Sequence, residues 1–174
     1  YYSLETISPL TDYSPAQISM GKVVADPRCS LQAKYYCANQ YRALNSVITN
    51  SDKAAYFWSY WGKYPLIVVK GASMEELISA KVVSPVLPSA MAEGSLTDGR
   101  MHSDICDAIK SKFPDCQITV YSYKPYVGVT SITDPRGITT YYEYDDLGRL
   151  KEVYIEEGGG KKIIEAYDYH YQTP

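Results

Sequence analysis

Hydrophobic and polar positions follow one rhythm after Tyr121 and another between Ser73 and Phe113. From Tyr121 onward, aromatic and β-branched residues alternate with polar ones, and glycine-bearing corners interrupt the alternation. A period of two puts successive side chains on opposite faces of a pleated strand, so this stretch reads as antiparallel hairpins. The strands expected are about 117–123, 126–133, 138–144, 149–155 and 162–171. Asp134-Pro135-Arg136-Gly137 is one corner: Pro fixes φ at the second position and Gly supplies a left-handed residue. Asp145-Asp146-Leu147-Gly148 is another, in which Asp145 accepts the amides ahead of it and Gly148 closes the hairpin with positive φ. Glu157 to Gly160 makes a third, looser corner, and upstream a turn at Trp61–Pro65 leads into a buried strand from Leu66 to Lys70.

The middle of the chain has a helical period. Ser73-Met74-Glu75-Glu76 is a capping box, worth about 1 kcal/mol, and starts a helix running from Met74 to about Ala80. Pro85 and Pro88 end any continuation, and 82–96 reads as a loop. A second helix starts at about Asp98 or Ser103 and runs to Lys112. It carries the stripe Met101, Ile105, Ala108, Ile109 and Phe113, and Pro114 stops it. Two short amphipathic helices between strands are suited to cover one face of a sheet. Pro9, Pro15 and Pro27 break the opening stretch. The chain thus divides into an irregular segment 1–33, strands at 34–70, a helical insert at 71–116 and hairpins at 117–174, within one domain.

The hairpin region repeats. Gly137 precedes Tyr144-Asp145 by seven residues, and Gly160 precedes Tyr167-Asp168 by seven. Tyr121 and Tyr123 stand 21 residues before Tyr142 and Tyr144, and Gly128 stands 20 before Gly148. A period of about 20–25 residues marks a strand-turn-strand array. Tyr36, Asn39, Leu44 and Val47 can also be laid on Tyr142, Asp145, Leu150 and Val153 at a constant offset of 106. Residues 34–61 therefore read as a degenerate repeat, with Arg42 and Ala43 in place of Gly148 and Arg149. Tyr56 to Tyr60 then alternates in the manner of Tyr167 to Tyr171.

Composition narrows the function classes. Seventeen basic and 20 acidic residues give a net charge of -3, against the basic surplus that nonspecific nucleic-acid binding needs. No apolar run reaches the roughly 18 residues of a membrane span. Nineteen Tyr against 2 Phe and 2 Trp suit half-exposed pleated surfaces, because Tyr has an apolar ring and a wet hydroxyl. The chain opens on Tyr1 without Met, as a mature or trimmed product would, so a signal peptide is not expected in it. Cys29, Cys37, Cys106 and Cys116 are spaced too widely for a zinc knuckle. They are either buried thiols or short-loop disulfides, 29–37 and 106–116, of an exported protein.

The segment Gly137-x-Thr139-x-x-Tyr142-x-Tyr144-Asp145-x-x-Gly148-Arg149-Leu150 resembles the tyrosine-aspartate (YD) repeat of bacterial RHS proteins. The resemblance is full over 137–153 and recognisable over 117–171. Gly160 to Asp168 looks like the opening of a further unit, and the preceding unit keeps Tyr121, Tyr123 and Gly128 but lacks the Asp and the Gly-Arg pair. The phrase from Tyr56 to Val69 also resembles a segment that precedes the terminal repeat in some members. Pattern and resemblance together imply an α+β fold: a mostly antiparallel β-sheet of YD-type hairpins with two short helices packed on one face. The resemblance implies a secreted or cell-surface bacterial protein, a C-terminal fragment of a larger scaffold, in a family associated with toxin delivery, cell–cell contact and suggested carbohydrate binding. It implies structural roles only, for Gly137, Tyr142, Tyr144, Asp145, Gly148, Arg149 and Leu150. Tyr142 and Tyr144 would stack on rings of neighbouring strands, and Arg149 would pair with a carboxylate such as Asp145 or lie over a Tyr ring.

Other candidate chemistry has a plain counterpart in each case. His102, Asp104 and Asp107 form a base or metal-ligand set, or simply a solvated acidic helix face. Asp134, Asp145, Asp146, Glu156 and Glu157 are turn carboxylates that lack calcium-loop spacing. Lone Ser, Thr and Cys side chains have no positioned base. The cluster Tyr56, Trp58, Tyr60, Trp61 and Tyr64 is either sheet packing or a glycan platform. The expectation is a non-enzymatic module, without catalytic residue, metal or cofactor, that forms or terminates a β-scaffold. Its partners would be further repeats or a second copy at the edge strands. The alternative is a carbohydrate-binding surface domain, and an enzyme ranks third.

Overall fold

In the computed structural model the chain forms thirteen strands and two helices among the described residues. Those residues are 2–4, 17–19, 22–24, 29–37, 44–59, 62–83 and 99–170. The strands are β1 (Tyr2–Leu4), β2 (Gln17–Ser19), β3 (Lys22–Val24), β4 (Cys29–Leu31), β5 (Ala33–Cys37), β6 (Leu44–Thr49), β7 (Lys53–Ser59) and β8 (Tyr64–Lys70). The helices α1 (Met74–Ser79) and α2 (Gly99–Lys112) follow. Then come β9 (Gln117–Lys124), β10 (Gly128–Thr133), β11 (Thr139–Tyr144), β12 (Leu150–Glu157) and β13 (Gly160–Ala166). Strands β5 to β13 make one nine-stranded antiparallel sheet in strict sequence order. Strands β8 and β9 pair directly, Ile67 to Val120 and Val69 to Ile118, although residues 71–116 intervene. The helical insert thus leaves and re-enters the sheet between neighbouring strands. In the first segment β1 pairs with β4 and β2 with β3, short ladders that the sequence pattern did not announce.

Burial explains where the core lies. On β7 the alternate residues Ala55, Phe57 and Ser59 are buried, and β8 buries Leu66, Ile67 and Val69. Met74 and Leu77 of α1 and Ile105, Cys106 and Ile109 of α2 join the same cluster, so both helices cover this face. The α2 stripe is as expected at Ile105 and Ile109, but Phe113 is only partly buried at its margin. The capping box forms: the Glu76 amide donates to Ser73 Oγ, and the Ser73 amide to Glu76 Oε2. The Met74 amide donates to buried Ser46 Oγ, which itself donates to Ala54 O, fixing the start of α1 on β6 and β7.

Several boundaries differ from the sequence pattern. Tyr126 is a fully exposed turn residue with φ 63°, so β10 starts at Gly128 rather than 126. Tyr64 and Pro65 belong to β8, and the turn is Gly62-Lys63. The corner after β12 is tight: Gly158 and Gly159, at φ 62° and 80°, join the Glu157–Gly160 pair in two residues. Strand β13 ends at Ala166, so Tyr167–His170 is not a strand, and Tyr60 and Tyr171 lie outside the described residues. Cys37, Cys106 and Cys116 are free thiols, so neither short-loop bridge forms. Cys29 is described only as part of β4. Among the described residues no helix is long and apolar enough to cross a membrane.

Candidate functional site

The recurring chemistry of this molecule sits at one end of the sheet. Four hairpins, β5–β6, β7–β8, β9–β10 and β11–β12, turn there, and each carries a β-bulge on its second strand. The unpaired extra residues are Asn45, Leu66, Thr130 and Lys151. Asn45 and Leu66 are 21 residues apart, and so are Thr130 and Lys151. Of the ladders joined at the other end, β6–β7, β8–β9 and β10–β11 run without a shift, and β12–β13 shifts at Ile164.

A bulge disrupts the ladder locally. An aromatic side chain from further along the chain reaches back to the residue before it. Trp58 Nε1 donates to Leu44 O at 2.6 Å, Tyr144 Oη to Val129 O at 2.8 Å, and Tyr169 Oη to Leu150 O at 2.9 Å. Leu44, Val129 and Leu150 each stand immediately before the extra residue of a bulge. At the β7–β8 bulge, Tyr123 instead lies against the Tyr64 ring, with centroids 4.9 Å apart, and burial pushes its hydroxyl up to about 12. Gly128 is required by this arrangement: a Cβ there would come 2.5 Å from Tyr144 Oη. The role of Tyr144 is therefore to bond a carbonyl at the previous bulge. The ring stack on this hairpin is Tyr141 on Tyr154, at 5.1 Å and 17°. Tyr142 faces Val153 across the ladder. No constant spacing announces these contacts, since Trp58, Tyr144 and Tyr169 stand 13, 14 and 18 residues after the extra residues Asn45, Thr130 and Lys151, and a bulge leaves no mark in an alternation count.

The two aspartate corners are built alike. Asp134 Oδ1 accepts from the amides of Arg136 and Ile138, both at 2.9 Å, and Gly137, at φ 86°, donates its amide to Asp134 O. Asp145 Oδ1 accepts from Leu147 and Arg149 at 3.0 and 2.9 Å, and Gly148, at φ 75°, donates to Asp145 O. Arg149 Nε and Nη2 close on Asp145 Oδ2 at 2.7 and 2.5 Å. The Arg149 hydrogen bond and the turn amides hold the Asp145 carboxyl below the usual carboxylate range, and the Ile138 amide with Arg136 does the same for Asp134. The Arg149 guanidinium also lies 4.2 Å from the Tyr169 ring centroid. Leu150 opens β12 opposite Tyr144.

The remaining candidates are dispersed. Tyr56 and Trp58 are half-buried and stack at 6.4 Å, Tyr64 rests on Tyr123, and Tyr60 and Trp61 lie outside the described residues. Asp104 and Asp107 are exposed on α2, and the side chain of His102 lies outside the described residues. Asp146, Glu156 and Glu157 are separate surface carboxylates, Glu157 being paired with Lys162. A groove of about 380 Å³ lies between α2 and β9–β11, with Asp107 and Lys110 on one wall, Ser122, Ser131, Thr133 and Thr139 on the floor and Tyr141 beyond. Cys106 lines it too, but burial pushes its thiol up and keeps it protonated. Among the described residues no group of three or more His, Cys, Asp or Glu is placed to hold a metal ion.

Residues 127–160 match the family model of the RHS repeat. This segment carries an RHS repeat. The match begins in the turn before β10 and ends at the start of β13, so it contains Gly128, both aspartate corners and the Tyr144 hydroxyl contact. The RHS repeat is a structural repeat. No curated protein matches the chain.

Proposed function

We propose that the chain is a non-enzymatic structural and interaction module of an exported or cell-surface protein, which forms or terminates a β-scaffold by adding bulged hairpins in series to one sheet. The observation that carries this reading is the recurrence of one bulged hairpin, with its extra residue at a 21-residue spacing, on both sides of the helical insert. Each unit contacts mainly its sequence neighbours, as in repeat arrays whose stability is a sum of local terms. RHS repeats occur in extracellular and cell-surface proteins, which agrees with this placement. The YD-type corners supply the local order, and residues 34–61 act as a degenerate unit of the same kind.

Excising one period, residues 130–150, tests the reading. The repeat account predicts a folded sheet two strands shorter with a cooperative melt. Excising the single strand 139–144 should unfold the C-terminal hairpins, because it reverses every later strand direction. Unfolding by the full-period excision would contradict the account.

A second reading rests on Tyr56 and Trp58, whose stacked, half-exposed rings present an aromatic surface to a sugar face. Trp58 fluorescence titrated with bacterial surface glycans tests it, and an unchanged spectrum across the set removes it.

A further inference from the structure

We propose that β13 joins two copies of this chain edge to edge, in an antiparallel pairing with its two-fold axis between Ile163 and Ile164. The inference rests on the sheet-building reading above and names the partner of that sheet. Strand β13 is the last strand of the nine-stranded sheet, all seven of its residues are exposed, and Ile163 and Ile164 each keep 54% of their surface. A long edge strand with apolar side chains is a template for pairing.

The register follows from the β12–β13 bulge. Lys162 lies across from Ile155 and Glu165 across from Val153, so both side chains share one face. Lys161 and Ala166 lie across from Glu156 and Glu152 and share the other. In a regular strand residues 162 and 165 would point to opposite faces; the extra residue Ile164 brings them to the same one. A two-fold axis between Ile163 and Ile164 therefore sets Lys162 against Glu165 of the second copy, twice, and sets Ile163 against Ile164, twice. A two-fold interface must be self-complementary in this way.

Lysines often guard sheet edges, but Lys161 is turned back over its own sheet. Its Nζ bridges Glu143 at 3.1 Å and Glu152 at 2.5 Å and lies 4.1 Å from the Tyr154 ring centroid. Lys162 pairs with Glu157, both more than 60% exposed, and such a pair exchanges readily for a partner on a second copy.

Sedimentation velocity on the full 174-residue chain over a wide concentration range tests the proposal. The expected result is a concentration-dependent shift from monomer to dimer. Lys162→Glu alone and Glu165→Lys alone should each weaken the dimer at least tenfold, and the double exchange should restore it. A monomer at every concentration, or a double exchange that fails to rescue, overturns the proposal. Amide exchange across Thr139–Ile155 is read on the same samples. Protected amides in a monomer mean that only the pairing is wrong, whereas unprotected amides mean that the sheet-building reading itself fails.

Discussion

The two halves of the sheet use the same bulged hairpin but are held together differently. In the first half β7 and β8 lie under α1 and α2, and Phe57, Ile67 and Val69 are fully buried. In β10–β13 Val153 alone among the described residues is buried, and β13 is exposed throughout. There the order comes from aspartate corners, the Tyr141–Tyr154 stack, the Tyr144 hydroxyl and the Arg149 pair. The lesson is that the signature residues appear where burial is thin. Where helices cover the sheet, the same backbone persists without them.

The largest expected effect breaks the covered half. Phe57→Ala should cost about 3–5 kcal/mol, since it removes a fully buried ring. Urea denaturation measures it, and Phe113→Ala should cost clearly less, because Phe113 is partly exposed.

Next come the glycines of the open half. Gly148→Val should cost about 1–3 kcal/mol through the backbone, since φ is 75° while the nearest other atom to an added Cβ is 4.0 Å away. Gly148→Asn should restore most of that loss. Gly128→Ala acts by collision with Tyr144, so its loss should shrink in a Tyr144→Phe background, with a coupling of about 0.5–3 kcal/mol in a double-mutant cycle.

Smaller still, Trp58→Phe should cost about 0.5–1.5 kcal/mol by removing the indole hydrogen bond to Leu44 O. A loss under a few tenths would mean that water replaces the indole.

The smallest effect is acidic. The Asp134 and Asp145 carboxyls are held below their ordinary values, so their contribution is complete above the unfolded carboxylate pKa of about 4. It fades as pH falls through the lowered folded values. Asp145→Asn should flatten part of the stability loss on acidification while leaving the neutral-pH fold intact, as followed by thermal melts across the acid range.

Much of the fold was legible because hairpin alternation and helix capping are local codes. The strands from β9 to β12, the Ser73–Glu76 cap and both aspartate corners could be read from residue order. The constant offset of 106 failed because registers are not local. Leu44 matches Leu150 at 106, but Tyr35 rather than Tyr36 matches Tyr142, at 107. The β5–β6 connection holds one more residue than the β11–β12 connection, and only pairing shows it. Arg149 could be read as choosing between carboxylate and ring, and it holds both. The stacking falls on Tyr141 rather than on Tyr142 or Tyr144, because Tyr144 instead bonds the Val129 carbonyl of the preceding hairpin.

Amide hydrogen exchange resolved along the chain tests most directly that both halves are one repeated hairpin sheet. The account predicts slow exchange in β7 and β8, intermediate protection through β11 and β12, and a loss confined to the open half in Gly148→Val. Exchange at the rate of an unstructured chain across Thr139–Ile155, or a Gly148→Val variant that loosens Phe57 and Ile67 equally, would contradict it.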